Sequence, residues 1–426
     1  MINSKDANIM DNENIEIAGW IHEIRDLGGI RFLLIRTRDD IVQVTFSKRK
    51  VPEELIEKVK TISRESVIRV KGRISKDARA PNGFEVIPNS VDILSVADSP
   101  LPLDPTDKVV AELETRLDNR FLDMRRPKVK SIFMIRSLTV KAVRDFLYDR
   151  NFVEVTTPKI VATATEGGTA LFPISYFDKE AFLNQSPQLY KQILMSSGFE
   201  RVLEIGPIFR AEEHSTRKHL NEATSIDVEV SYADDNDVMK LLEELIIYIY
   251  EYIKDEADKY LKTIGVNLKI PTRPFERVSY DEAIEIVGLG WGDDFGSAEE
   301  KKLGNEIGEH YFIKEWPLIL KPYYTMPSEK KVRGDILSKS FDLMHPRVEL
   351  ASGSQRINDY NLLKKQIEFR GLNPDNFSFY LDAFRYGMPP HAGWGLGLDR
   401  LMMTMLDLDN IREAIMFPRD RRRLIP

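Results

Sequence analysis

The sequence predicts an α+β fold in two parts: a small N-terminal β-barrel, then a larger domain built on an antiparallel sheet flanked by helices. Three observations predict it. Short β-rich runs with turn signals fill residues 1–97. A Pro-rich acidic stretch, DSPLPLDPTD over 98–107, then interrupts the pattern. Beyond it, long amphipathic helical runs alternate with strand-like ones.

In the first part, IRFLLIR (30–36), IVQVTF (41–46), SVIRVKGRI (66–74) and FEVIPNSVDIL (84–94) are rich in β-branched and aromatic residues. They are separated at Gly28-Gly29, Asp39-Asp40 and Pro81-Asn82-Gly83, and EELIEKVKTI (53–62) has the spacing of one inserted helix. About five strands in so short a segment suit a small barrel, with the oligonucleotide-binding type the leading candidate.

After the prolines, SIFMIRSLTVKAVRDFLYDR (131–150) carries Ile132, Ile135, Val143, Phe146 and Leu147 at helical spacing, with Ser131 the expected N-cap. VMKLLEELIIYIYEYIKDEADKYL (238–261) is a second expected helix, and FVEVTTPKI, RVLEIGPIFR and ATSIDVEVSY between them are expected strands. The last alternates, with Ile226, Val228 and Val230 on one face and Ser225, Asp227 and Glu229 on the other. A sheet that points acids to one side should cover a polar site. Segment 265–335 shows no clear pattern and is expected to be a small insertion. The expected divisions are 1–97 for the barrel, 98–115 for a linker and 116–426 for the larger domain.

Composition narrows the chemistry. The chain has 426 residues, with no Cys and six His, so disulfides, thiolate metal sites and cysteine nucleophiles are excluded. The most apolar run, Leu245 to Ile253, is short and broken by Glu251, so no membrane span is expected. The start, MINSKDANIMDNENIE, has no signal-peptide character, and a cytoplasmic location is the expectation. Lys plus Arg is 61 against 68 Asp plus Glu, a net −7 that argues against a polyanionic partner if taken alone. Residues 1–97, however, hold 16 basic and 15 acidic side chains, and the chain ends in the basic run RDRRRLIP. Net charge therefore does not decide the question of nucleic acid.

Three stretches concentrate chemistry. In IGPIFRAEEHSTRKHLNEATSIDVEV (205–230), Arg210, Glu212, Glu213, His214, Arg217, Lys218 and His219 crowd a loop between two strands. A charge run is most often a solvated hairpin. Arg210, though, closes an apolar strand, where a planar donor fork suits a phosphate or carboxylate. In FDLMHPRVELASGSQRIND (341–359), Asp342, Glu349 and Ser352 are hard oxygen ligands of the kind magnesium takes when it bridges a nucleotide; a salt bridge is the plainer reading of two acids. Gly353, Ser354 and Arg356 follow as a small-residue turn bearing a second guanidinium. In YGMPPHAGWGLGLDRLMMTML (386–406), Gly393, Gly395 and Gly397 alternate with apolar residues ahead of a helix that carries Arg400. Glycine at alternate strand positions permits close approach of a flat ligand.

Together the stretches resemble the signature motifs of class II aminoacyl-tRNA synthetases. FVEVTTPKI with Pro158 is similar to motif 1, which in that class builds a homodimer interface. FRAEEHSTRKHLNEATSID is similar to motif 2, and GLGLDR to motif 3. The barrel places the resemblance in subclass b, beside the aspartyl, asparaginyl and lysyl enzymes. GWIHEIRDLGGIRF, ATEGGTALFPI, QSPQLYKQ, VELASGSQR and GMPPHAGWGLGLDR resemble the aspartyl branch of archaeal and eukaryotic type.

The resemblance implies a ligase that activates L-aspartate with ATP and passes it to tRNA, with Mg2+ as the metal. A pocket for an amino acid with an extra carboxylate needs cations, and Lys191 and Arg356 match the family's side-chain readers. Glu166 and Gln188 match residues around the ammonium, Asp227 would fix Lys191, and His391 would close over the substrate. Asparaginyl enzymes typically lack the Lys of QLYK, and asparagine would leave a buried Lys without its carboxylate. Arg210 would bridge the substrate carboxylate and the α-phosphate and, with Arg400 stacked on adenine, act catalytically. Glu212 would read the adenine amino group, and Lys218 and His219 would hold the distal phosphates. Leu220, Glu349, Gly397, Leu398 and Asp399 complete the implied ATP site. Asp342, Glu349 and Ser352 would hold the metal, with Ser352 also near the aspartate.

The barrel is expected to take the anticodon by stacking and base-edge contacts, which need little net charge. Phe32 is the expected platform, and Arg25, Gln43 and Glu85 match base-reading positions. His22 and Pro81 match the pattern of archaeal-type relatives that accept both tRNA(Asp) and tRNA(Asn). Three departures stand out: Ala223 where many relatives carry an adenine-stacking aromatic, Asn151 where Gly is common, and Lys218 in place of Arg. The rival readings are an asparaginyl-tRNA synthetase and a synthetase-like paralogue that does not charge tRNA.

Overall fold

Five strands, β1 (Asn14–Leu27), β2 (Ile30–Arg36), β3 (Ile41–Ser47), β4 (Val67–Lys76) and β5 (Phe84–Ser95), close into a barrel in the order β1-β2-β3-β5-β4. β1 is long enough to pair with both β2 and β4, and a register shift between Ile21 and Glu23 lets it turn from one partner to the other. The inward residues, among them Ile21, Leu33, Val44, Ile68 and Val86, are buried and form the barrel's own core. Helix α1 (Glu53–Lys58) is shorter than the expected 53–62 run. The computed structural model describes residues 13–38, 40–106, 108–162, 170–212 and 216–426, and the chain divides into two compact units, Met1–Arg126 and Pro127–Pro426.

The second unit is built on an eight-stranded sheet. Its strands run in the order Glu276–Ser279, Tyr311–Lys314, Ser340–His345, Val348–Gln355, His391–Gly397, Glu222–Ser231, Arg201–Phe209 and Val153–Glu154. Pairing is antiparallel except at the two edges, where Val153–Glu154 and Glu276–Ser279 run parallel to their neighbours. Segment 265–335 supplies two of these strands, Glu276–Ser279 and Tyr311–Lys314, and the helix Ser297–Ile307.

One face of the sheet packs against the helices Pro127–Tyr148 and Asp235–Glu256, with Ile226, Val228, Leu396 and Leu343 in a shared apolar core. The first helix starts earlier than expected. Pro127 opens it, and Ser131 lies inside it, donating its hydroxyl to the Pro127 carbonyl at 2.8 Å rather than capping. The second is capped by Asp234, whose side chain accepts from Asn236 and Asp237 backbone N–H groups, and it ends at Glu256 before a separate helix, Asp258–Ile264. The expected 238–261 helix is thus two. The opposite face of the sheet is polar and carries the site.

Candidate functional site

Cross-strand register builds the site row by row. Asp342 pairs with Ser352, Ser352 with Gly395, and Gly395 with Asp227. The next row runs Ser354, Gly393, Glu229. Directly opposed residues share a face, so side chains far apart in the chain come onto one surface. Glu349 joins them through a bulge: the register shifts between Leu343 and Met344 so that Glu349 opposes Met344. Without it, strand alternation would put Glu349 and Ser352 on opposite faces.

The glycines have the same logic. A Cβ on Gly393 would lie 2.2 Å from both the Val228 carbonyl and Glu229 Oε2, so the missing side chain makes room for Glu229. At Gly395 the nearest atom would be Asp227 Oδ1 at 3.2 Å. Gly395 and Gly397 line a cavity of about 360 Å³.

At the inner end lies a buried charge network. Lys191, on the helix Gln188–Ser196, places Nζ 3.0 Å from Asp227 Oδ1, 3.4 Å from Glu229 Oε2 and 3.1 Å from the Trp394 carbonyl. Arg356 donates to both Glu229 oxygens at 3.0 and 3.3 Å and to Ser354 Oγ at 2.7 Å. Burial alone would raise the Glu229 carboxyl, but Arg356 and Lys191 outweigh it and hold it below its ordinary value. His391 is fully buried, and burial lowers its pKa. Its Nε2 lies 3.0 Å from Gln192 Nε2 and its Nδ1 2.9 Å from the Pro389 carbonyl, a pattern that a neutral ring protonated on Nδ1 satisfies. Gln188 donates to Gln192 at 2.9 Å.

The acids on the other side are arranged differently. Asp342 accepts from Lys321 Nζ at 2.6 Å through Oδ2, while its buried Oδ1 has no hydrogen-bond partner. Burial pushes this carboxyl up, Lys321 opposes the shift, and Glu349 adds to it. A cation would favour the charged form, so Asp342 Oδ1, Glu349 and Ser352 fit a hard metal ion. Among the described residues no group of three or more His, Asp or Glu is arranged to hold a metal alone. Magnesium needs only one or two carboxylates when nucleotide oxygens and water complete its shell.

Arg210, Glu212, Lys218, His219 and Leu220 line the same cavity from the charged loop, and Arg400 lines it from the helix Leu398–Met405. Arg400 NH1 donates to the Glu349 carbonyl at 3.0 Å and lies 3.7 Å from its carboxylate. Burial, then Arg400, lowers the His219 pKa. Ala223 lines the wall without an aromatic face. Asp399 is buried with both oxygens engaged, by Arg136 NH1 at 2.6 Å and the Thr224 N–H at 2.7 Å. Leu398 is buried in the apolar core. Lys191 and His391 stand behind the cavity wall, and Glu166 lies outside the described residues.

Sequence reasoning passed over Glu229 as a site residue although its alternation with Asp227 was visible. It also missed Lys321, which lies over the Trp316 ring at 3.7 Å, and Glu300, which meets Lys218 at 3.2 Å. Both sit in the segment without a recognisable pattern.

On the barrel, register again does the grouping. Arg25 opposes Phe32, Phe32 opposes Thr45, and Gln43 opposes Glu85, so these side chains share one face. Arg25 is exposed and Phe32 half-buried. Glu85 accepts from Lys50 at 3.0 Å, from Gln43 at 3.5 Å and from the Thr45 hydroxyl. His22 is half-buried, with Nδ1 2.9 Å from Arg36 NH1, and burial followed by Arg36 lowers its pKa. Pro81 is exposed at the β4–β5 turn.

Residues 112–421 match the model of the tRNA synthetases class II (D, K and N), and residues 15–94 match the OB-fold nucleic acid binding domain. The chain is 56% identical to the aspartate–tRNA(Asp/Asn) ligase of Methanoculleus marisnigri, covering 98% of each chain. It is 54% identical to the enzyme of the same name from Archaeoglobus fulgidus, over 98% of this chain and 97% of the other. Among solved structures, asparaginyl-tRNA synthetase from Pyrococcus horikoshii with asparaginyl-adenylate superposes with a TM-score of 0.91 at 36% identity, covering 98% and 97% of the two chains. Aspartyl-tRNA synthetase from Entamoeba histolytica gives 0.86 at 31%, covering 98% and 91%. An antiparallel sheet with one apolar and one ionic face, preceded by a five-stranded barrel, is thus the frame of a class II tRNA synthetase of the D, K and N family, to which this chain belongs.

Proposed function

We propose that the chain is an aspartate–tRNA ligase that accepts both tRNA(Asp) and tRNA(Asn). The observation that carries the amino-acid choice is the buried pair Lys191 and Arg356, both held by Glu229. Glu229 and Asp227 balance the two cations, so selectivity would come from their N–H donors, which both oxygens of an aspartate carboxylate can accept and the NH2 of asparagine cannot. The relatives at 56% and 54% identity are named for aspartate, and this supports the same choice.

In the first step the ionised aspartate α-carboxylate needs no general base. Its oxygen bonds to the α-phosphorus of ATP as the bond to pyrophosphate breaks. Arg210 contacts the carboxylate and α-phosphate, and Gln188, with Glu166, orients the ammonium. Glu212 and Arg400 hold the adenine, and Lys218 and His219 the distal phosphates. Asp342, Glu349 and Ser352 would hold magnesium, which when bound would supply charge to neutralise the pyrophosphate. Positioning and electrostatics supply the rate. In the second step the adenylate passes aspartate to the tRNA 3′ end.

We assign 1–97 to anticodon binding, 98–115 to a linker and 116–426 to catalysis. Phe32, Arg25, Gln43 and Glu85 would receive the bases, with His22 and Pro81 permitting relaxed choice. A homodimer through the Val153–Glu154 edge is part of the proposal, supported by Val153 and Tyr148 being exposed there. No helix among the described residues is long and apolar enough to cross a membrane, and we place the enzyme in the cytoplasm.

Pyrophosphate exchange should require aspartate and not respond to asparagine, and removal of divalent metal should abolish it. Exchange driven by asparagine would instead favour the asparaginyl reading. Charging of pure tRNA(Asn) should proceed within about a thousandfold of tRNA(Asp); a slower rate would refute the relaxed choice alone.

A further inference from the structure

Cations lining the cavity are met by acids of the protein itself: Lys321 by Asp342, Arg400 by Glu349 and Lys218 by Glu300. Asp342 and Glu349 already have a place in the proposed metal site. Glu300 does not. It stands in the first turn of the helix Ser297–Ile307, lines the cavity, and puts Oε2 3.2 Å from Lys218 Nζ. Both side chains are mostly buried, at 24% and 17% exposure, so the pair is less screened than one in open solvent.

An anion beside the cation proposed to hold the distal phosphates competes with them. A carboxylate at 3.2 Å neutralises Lys218 before ATP arrives and repels the triphosphate once it is there. The residue type fits such an exchange. A lysine ammonium is a point charge on a flexible stem that can change partners, whereas an arginine fork would lose two aligned bonds at once. The backbone around it is held: the Lys218 N–H bonds to Thr216 Oγ1 at 3.1 Å, and the Arg217 carbonyl accepts from the Ile411 N–H at 2.9 Å. Only the side chain need move.

We propose that Glu300 is a competing counter-ion, a positioning residue that holds Lys218 until ATP binds and is displaced from it by the phosphates of ATP. It sets nucleotide affinity without touching the reacting atoms. The proposal rests on the assignment of Lys218 to ATP given above.

The test is aspartate-dependent pyrophosphate exchange with the full chain, measuring KM for ATP in wild type, Glu300→Gln, Lys218→Met and the double variant. Glu300→Gln should lower KM for ATP by about threefold to fivefold, the scale of a partly exposed ion pair, while KM for aspartate stays put. Lys218→Met should raise KM for ATP, and adding Glu300→Gln to it should then do nothing. Glu300→Asp, which keeps the charge, should restore the wild-type KM. A higher or unchanged KM for ATP in Glu300→Gln overturns the proposal. So does an equal drop in the Lys218→Met background, which would mean a general charge effect. An unchanged KM in Lys218→Met alone overturns the assignment of Lys218, and absence of exchange in the wild type overturns the function itself. Thermal melting of each variant separates these outcomes from misfolding, and ATP titration by calorimetry reads affinity even in a variant too slow to assay.

Discussion

Glu229 is fully buried, with one oxygen toward Lys191 and both bonded by Arg356. Removing one partner of a buried pair leaves the other's charge without compensation, which costs about 3–5 kcal/mol. Glu229→Gln keeps the volume and removes the charge. It should destabilise the protein by about that amount in denaturant melts, and it should raise KM for aspartate far more than KM for ATP. Equal changes in the two constants would place Glu229 outside amino-acid recognition. Lys191 and Arg356 were legible in the sequence because their motifs are distinctive. Glu229 was not, because a carboxylate in an alternating strand has the same pattern whether it faces water or two buried cations.

At the scale of elements, the strand His391–Gly397 works by omission. Gly393→Ala would put a methyl group 2.2 Å from the Val228 carbonyl and from Glu229, and overpacking of this kind costs about 1–3 kcal/mol. At Gly397 the nearest atom is 3.7 Å away, an ordinary contact. Gly397→Ala should therefore keep wild-type stability, and Gly393→Ala should lose both stability and aspartate-dependent exchange. Comparing the two by thermal melting and KM for aspartate checks the difference. The alternating glycines announced a close approach in the sequence; only the register identifies the neighbour as the side chain of Glu229. The bulge that turns Glu349 toward Asp342 was equally hidden, since residue spacing carries no record of a register shift. The barrel strands were plain, because β-branched runs between turn residues need little tertiary help to be recognised. The start of the helix Pro127–Tyr148 was misplaced at Ser131 because a serine hydroxyl serves equally well as a cap or as a bond to the carbonyl four residues back.

The stability of the second unit as a whole should carry the mark of two neighbouring histidines, the buried His310 and the half-buried His345. His310 stacks on Phe275 and meets His345 edge-on at 5.0 Å, with Tyr250 at 5.7 Å, and its Nε2 is buried without a partner. Burial pushes His310 down to about 3 and His345 down to about 4, from 6.5. Glu309 lies near Tyr250, and Arg347 and Asp407 face His345, but neither carboxylate reverses the direction. A lowered histidine pKa means that the unfolded chain binds the proton first. Stability therefore rises with pH between about 3 and 6.5 and is lost as pH falls through that window. His310→Phe keeps the ring and removes the titration. Its melting temperature should fall less between pH 7 and pH 5 than that of the wild type, and an identical fall in both would refute this account.

The sequence by itself determined the family, the two-part α+β plan and most of the charged side chains that line the cavity, because local propensity and motif spacing are written in consecutive residues. It also left room for a nucleic-acid partner at a net charge of −7, since stacking and base-edge contacts need little net charge, while register is what groups Arg25, Phe32, Gln43 and Glu85 on one barrel face. Only the tertiary structure decided which charges answer one another. Glu229 and Arg356 are 127 residues apart, and Lys218 and Glu300 are 82 apart. Such pairs arise from strand register and from packing across the sheet, and an ion pair between distant segments leaves no periodic trace along the chain.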